Sequence, residues 1–206
     1  MDFQEIRDRL VLAALPHVVF EGWSLRVLAE AAVAEGLDPS LAERAFMGGA
    51  AEAVAHFAAL ADRMMEEDLA GRDLVALRVP ERVLAVLDAR FTRWAPHREA
   101  IRRGLAVMAL DPVRAARATA ATVEATWRLA GERSNDFSWY TKRLTLGAIY
   151  SATMLFWLDD PSEDCADTRA FLRRRLADVG RVTALRKQAG GWLGKLPRGV
   201  GLPRGL

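Results

Sequence analysis

A helical period of apolar residues runs through nearly the whole chain, and it restricts the fold more than any other feature. Phe3, Ile6, Leu10 and Ala13 share one helical face, as do Leu25, Leu28 and Ala32. Val54, Phe57, Ala61 and Met64 repeat the pattern, and Leu84, Leu87, Phe91 and Trp94 follow it. Ala116, Ala120, Val123 and Trp127 continue the spacing, then Leu172, Leu176 and Val179. No stretch combines clean alternation with β-branched residues, so a sheet is not expected. The breaks carry helix-ending chemistry. Ser24 can cap a helix starting at Leu25, and Gly36 can close it. Asp38-Pro39 and Asp111-Pro112 each read as a capping carboxylate followed by a proline at the first helical position. Gly71 closes a long helix that starts near Gly49, and Asp160-Pro161 ends the helix that starts near Phe137. The expectation is an all-α chain of about eight to ten helices with short connections.

Composition narrows the chemistry. The single Cys165 cannot pair internally, and one Cys with three His cannot build a structural zinc site. His17, His56 and His97 are far apart beside apolar positions, which suits packed or surface histidines. Glu52 and His56 are four apart and unrepeated, so the paired Glu-x-x-His of a di-iron bundle is not formed. Gly48-Gly49 lacks the Lys-Ser/Thr of a phosphate loop, and Cys165 beside Asp164 and Asp167 is a poor nucleophile. No catalytic residue, metal site or cofactor is expected. The longest uncharged run, Leu144 to Leu158, is fifteen residues, short for a membrane span and suited to a buried helix. Asp2, Glu5, Arg7, Asp8 and Arg9 interrupt the first apolar stretch, so no targeting peptide is visible.

Net charge is +2, but it is unevenly spread. From Arg173 onward there are nine basic residues against the single acid Asp178. A basic end on an acidic body suits a phospholipid surface or an acidic protein, or else arginines that solvate the outer face of a last helix. Residues 24 to 46 read as two short helices around Gly36-Leu37-Asp38-Pro39, and with the preceding helix they resemble the N-terminal three-helix unit of TetR-type repressors. That resemblance makes a ligand-responsive transcriptional regulator one functional reading. Charge opposes it: residues 1 to 48 hold four basic and eight acidic residues, and DNA affinity comes mainly from neutralising phosphates. No nucleic acid partner is expected.

The most specific stretch runs from Asn135 through Asp136-Phe137-Ser138-Trp139-Tyr140-Thr141-Lys142-Arg143 to Ile149-Tyr150-Ser151-Ala152-Thr153. Its first turn displays Trp139, Tyr140, Lys142 and Arg143, and Trp139 and Arg143 are spaced to stack. Two adjacent large aromatics point about 100° apart on a helix, so both cannot easily enter one core contact. The DF-x-WYTKR…IY-x-x-T run resembles that of the ubiquinone biosynthesis accessory family called coenzyme Q biosynthesis protein nine. Asp164 to Leu176 resembles that family's continuation, and the likeness covers roughly residues 5 to 188.

The resemblance implies a TetR-like helical bundle without chemistry of its own. It implies binding of an isoprenoid lipid or ubiquinone intermediate, assistance to the demethoxyubiquinone hydroxylase, and a homodimer. It places partner contact at Trp139 and Tyr140, with Lys142 and Arg143 beside them. For the lipid it points to Phe57, Met64, Met65, Trp127, Leu146, Ile149, Tyr150, Met154 and Leu155, each of which also reads as ordinary core. It implies peripheral attachment at the inner, cytoplasmic membrane face through a C-terminal amphipathic segment. This sequence departs from that segment, and Trp192, Leu193, Lys195 and Leu196 are its own candidate membrane contacts. The expected units are a helix-turn-helix-like unit at 1–48 that does not bind DNA, a helical lipid-binding domain at 49–188, and a Gly/Pro-rich basic tail at 189–206. In that tail six glycines and two prolines in the last seventeen residues disfavour a continuous helix. A helical interaction scaffold without a ligand is the third reading.

Overall fold

The computed structural model describes residues 2–132 and 138–193. The helices are α1 (Phe3–Glu21), α2 (Leu25–Ala34), α3 (Leu41–Ala45), α4 (Gly49–Leu69) and α5 (Val79–Trp94). They continue as α6 (Arg98–Met108), α7 (Pro112–Leu129), α8 (Ser138–Leu158) and α9 (Ala166–Leu193). Among the described residues there is no strand.

Local chemistry sets most boundaries where the sequence puts them. Ser24 accepts a hydrogen bond from the Val27 N–H at 3.2 Å and so starts α2. Gly36, at φ +69°, turns the chain so that the Leu37 N–H reaches the Ala32 carbonyl at 2.8 Å. Asp111 caps α7 by accepting from the Arg114 N–H at 3.0 Å, with Pro112 as the first helical residue. Asp38-Pro39 behaves differently. Asp38 accepts from the Ser40 N–H at 2.8 Å, which makes a side-chain turn, and α3 begins only at Leu41. The end of the chain also departs from expectation. Helix α9 continues through Gly190 and Gly191 to Leu193, past the boundary at 188. Two glycines cost a helix about 1 kcal/mol each, whereas starting a helix is the expensive step, and α9 is already long when it reaches them. Trp192 and Leu193 thus occupy its last turn; Lys195 and Leu196 lie outside the described residues.

Helix α4 is the axis of the molecule, packed by α1, α5, α6 and α7. One apolar cluster extends from Leu10 and Val11 in α1 to Leu172 in α9. Polar ties fasten the N-terminal helices to the rest. The buried indole of Trp23 donates to the Ala100 carbonyl at 2.9 Å, and Arg7 bridges Glu52. His56 is buried and sits 2.7 Å from Asp8, which also accepts from Arg63 at 2.6 Å. Burial lowers the affinity of His56 for its proton.

Asp160 organises the passage from α8 to α9. It is buried and accepts from the backbone and hydroxyl of both Ser162 and Thr168. Burial alone would raise its pKa, but those bonds overcome burial and hold it at about 2. Because the folded value is depressed, Asp160 contributes stability above about pH 4 that is lost as pH falls toward about 2. The shift corresponds to about 2 kcal/mol. Replacing Asp160 by Ala is expected to lower stability by at least about 2 kcal/mol near neutral pH. Urea titrations across the acid range should show the variant weakening less steeply than the parent below about pH 4.

Candidate functional site

Small residues on α4 and α7 and large ones on α5, α6 and α8 leave a cavity of about 240 Å³ inside the bundle. From α4 its wall takes Val54, Phe57, Ala58 and Ala61, and from α7 Ala115, Ala118 and Thr122. Aromatic rings supply much of the remainder. Phe57 meets Trp94 edge-on at 4.8 Å and Trp23 at 5.9 Å. Phe91 packs on Trp157 at 5.5 Å and on Tyr150 at 6.0 Å. Gly104 matters for the closeness of α6. A Cβ there would stand 3.2 Å from a Val54 methyl and 3.4 Å from the Trp23 indole nitrogen. Leu105, Ser151 and Leu155 line the cavity and are also exposed, so it reaches the surface between α6 and α8.

One buried polar cluster interrupts the apolar wall. Arg90 of α5, 6 % exposed, forms an ion pair with buried Asp62 of α4. Its Nε donates to the Tyr150 hydroxyl at 3.3 Å, and one terminal nitrogen donates to the Ala58 carbonyl at 3.4 Å. Thr122 of α7 donates to the second oxygen of Asp62 at 3.1 Å. Burial pushes the Asp62 carboxyl up, against the pull of Arg90 and Thr122. Burial likewise opposes the charge on Arg90, but Tyr150 and Asp62 outweigh it and keep the guanidinium protonated. The indole N–H groups of Trp94 and Trp157 are buried with no acceptor among the described residues. Such a cavity can hold an apolar body with few polar atoms. Among the described residues no cluster of three or more His, Cys, Asp or Glu side chains could hold a metal ion.

Of the residues named from the sequence as lipid contacts, Phe57, Tyr150, Met154 and Leu155 line this cavity. The other five are placed elsewhere by their helical phase. Leu146 and Ile149 are buried in the main core, and Met64 and Trp127 pack against it. Met65 joins Leu69, Val86 and Ala125 in a separate small cluster. Sequence reasoning missed Arg90, although a signal was present. Arg90 falls on the same stripe as Val83, Val86, Leu87, Phe91 and Trp94, where a charge is out of place.

The aromatic pair at the start of α8 is arranged differently from an exposed doublet. Tyr140 is 68 % exposed, but Trp139 is half-buried, with its ring against Tyr140 at 4.7 Å. The Arg143 guanidinium lies 3.8 Å over Trp139 and is bonded to Glu124 of α7 at 2.6 Å. Lys142 bridges Glu132 at 3.3 Å. The two cations thus tie α8 to the α7 side of the fold, and Tyr140 presents the open aromatic surface. No described helix is long and apolar enough to cross a membrane.

The COQ9 family model matches residues 113–183, which span α7, α8 and nearly the first two-thirds of α9. The human protein named "Ubiquinone biosynthesis protein COQ9, mitochondrial" is 30 % identical over 197 residues, covering 90 % of this chain and 61 % of that protein. The protein of the same name from Rattus norvegicus is 31 % identical over 198 residues, covering 90 % and 62 %. That from Xenopus tropicalis is 32 % identical over 186 residues, covering 85 % and 58 %. The chain therefore spans about three-fifths of the length of these relatives. A solved TetR transcriptional regulator from Nitrosomonas europaea superposes with a TM-score of 0.67 at 21 % identity, covering 84 % of this chain and 97 % of its own. At that identity the likeness speaks for the fold. The chain is thus similar to the COQ9 proteins over most of its length, and its all-α fold is TetR-like.

Proposed function

We propose that this chain is a lipid-binding accessory protein of ubiquinone biosynthesis. It holds an isoprenoid lipid or a quinone intermediate in the α4–α8 cavity and assists the demethoxyubiquinone hydroxylase, without chemistry of its own. The observation that carries the reading is the cavity, because an aromatic and aliphatic wall with one neutralised ion pair suits an oily molecule. The mechanism follows from solubility. Each methylene leaving an apolar phase for water costs about 0.8 kcal/mol, so a protein that offers an apolar interior beside the enzyme removes most of that barrier. Helix α8 carries both the cavity mouth at Leu155 and the exposed ring of Tyr140, about 22 Å apart along its axis. A partner docked on Tyr140 would thus sit on the helix that borders the mouth. The protein acts peripherally at the membrane through its basic C-terminal stretch, as a homodimer.

A transcriptional regulator is the competing reading, and the N-terminal unit disfavours it. Arg7, Arg9 and Arg26, three of the four cations in residues 1 to 48, are each paired with a carboxylate of this chain. Helix α3, in the place of a recognition helix, has five residues and presents Glu43 beside Arg44. Cations spent on internal ion pairs release no counterions from DNA.

Mass spectrometry of lipid co-purifying with the protein tests the reading. A polyisoprenoid or quinone species is expected, and replacing Ala115 by Phe, which fills the cavity, should reduce it at least fivefold while leaving helicity unchanged. Protein that carries no such lipid, even after incubation with it, would remove the proposal. At the other end of α8, replacing Tyr140 by Ala should change stability by no more than about 0.5 kcal/mol and abolish retention of the hydroxylase in a pull-down. Replacing Trp139 by Ala should cost about 1 kcal/mol as well, because it removes the ring under Arg143.

A further inference from the structure

The polar cluster in the cavity wall joins four helices and still has hydrogen-bonding capacity to spare. A guanidinium has five N–H bonds. Among the described residues Asp62, Tyr150 and the Ala58 carbonyl take one each from Arg90. Each of the three nitrogens of this buried cation therefore has a partner, and the two terminal nitrogens keep one further N–H bond each to offer a ligand. Asp62 does not line the cavity and its oxygens bond Arg90 and Thr122, so the charged group that the cluster offers the cavity is the guanidinium. Its charge is already balanced. An incoming anion would leave one uncompensated negative charge in a low-dielectric interior, whereas a neutral oxygen adds hydrogen bonds without adding charge.

We propose that Arg90, held in place by Asp62, is a head-group subsite that selects a neutral lipid bearing a carbonyl or ether oxygen over a plain hydrocarbon and over a carboxylate or phosphate lipid. The proposal rests on the lipid reading of the cavity and specifies what its ligand carries at the polar end. The oxygen of the head accepts from Arg90 while the chain lies along Phe57, Trp94 and Met154 toward the mouth at Leu105 and Leu155. Asp62 is the positioning residue, since it does not line this cavity but fixes the guanidinium that does.

Three probes of equal chain length separate the possibilities: methyl nonyl ketone, undecane and undecanoate, each equilibrated with the full chain at about pH 8, where the carboxylate is ionised. Retention after gel filtration is read by mass spectrometry. The ketone should bind about tenfold more tightly than the alkane, and the carboxylate more weakly than the ketone. In the charge-neutral double variant Asp62→Asn with Arg90→Met, ketone affinity should fall to that of the alkane, with alkane affinity unchanged. The single variant Asp62→Asn leaves the cation without its counter-charge and should reverse the order, so that undecanoate binds best. Equal binding of ketone and alkane by the unmodified protein would overturn the subsite while leaving the oily cavity intact. A carboxylate preference in the unmodified protein would overturn the neutral-ligand assignment. Uptake of none of the three would overturn the lipid reading and the subsite with it. A double variant that loses alkane and ketone alike would show that the pair acts only by shaping the cavity, which also overturns the proposal.

Discussion

The ion pair between Arg90 and Asp62 is the constraint around which the rest of the bundle is arranged. Two charges removed from water are tolerated only with close geometry and further hydrogen bonds. Those bonds come from Tyr150 on α8, the Ala58 carbonyl on α4 and Thr122 on α7. The pair therefore joins four helices, α4, α5, α7 and α8, around one point. The aromatic rings of Phe91 and Tyr150 stack beside it, which keeps water out and strengthens the attraction. A cavity in a helical bundle tends to collapse, because its lining side chains gain contacts by moving inward. Here the lining rings already rest on one another, Phe57 on Trp94 and Phe91 on Trp157 and Tyr150, which restricts that movement.

Residue size explains where the space lies. Helix α4 offers Ala58 and Ala61 to the cavity, and α7 offers Ala115 and Ala118, so these helices contribute little bulk. Across from them stand Phe91, Trp94, Met108 and Trp157, whose length is needed to bridge to the opposite wall. The close approach of α6 at Gly104 brings Trp23 over one end, and the Trp23–Ala100 hydrogen bond holds it there. The opening at Leu105 and Leu155 is thus left as the route between solvent and interior.

The all-α fold was legible in the sequence because each helix carries its own period, its own cap, or both. Ser24, Gly36 and Asp111 act through neighbours within five residues, and local chemistry of that range can be read without tertiary structure. Asp38 shows the limit: a carboxylate before proline has two local uses, and the side-chain turn to Ser40 prevailed over the helix cap. The cavity was only partly legible. Phe57, Tyr150, Met154 and Leu155 reach it, while Met65 is turned into a second cluster and Leu146 and Ile149 into the core. Periodicity tells which side chains face inward but not which inward position lacks a partner, since that depends on residues far away in sequence. A charged residue on an apolar stripe, as at Asp62 and Arg90, is the one local mark that does point to the site.

The N-terminal unit has a packing role within the bundle. Its buried residues, Leu10, Leu15, Val27 and Leu28 among them, belong to the same apolar cluster as the cavity helices. Trp23, at the junction of α1 and α2, is itself a wall residue, bonded across 77 positions to Ala100 at the start of α6. Helix α1 also packs directly on α4 and α6, and His56–Asp8 and Arg7–Glu52 fasten it there. A unit so tied closes one end of the bundle. Its acidic surface and internally paired arginines are compatible with that task, because a cap must pack well on one side and needs no particular charge on the other. The unit reaches the cavity through Trp23, in the turn between α1 and α2, while its helices pack behind that wall.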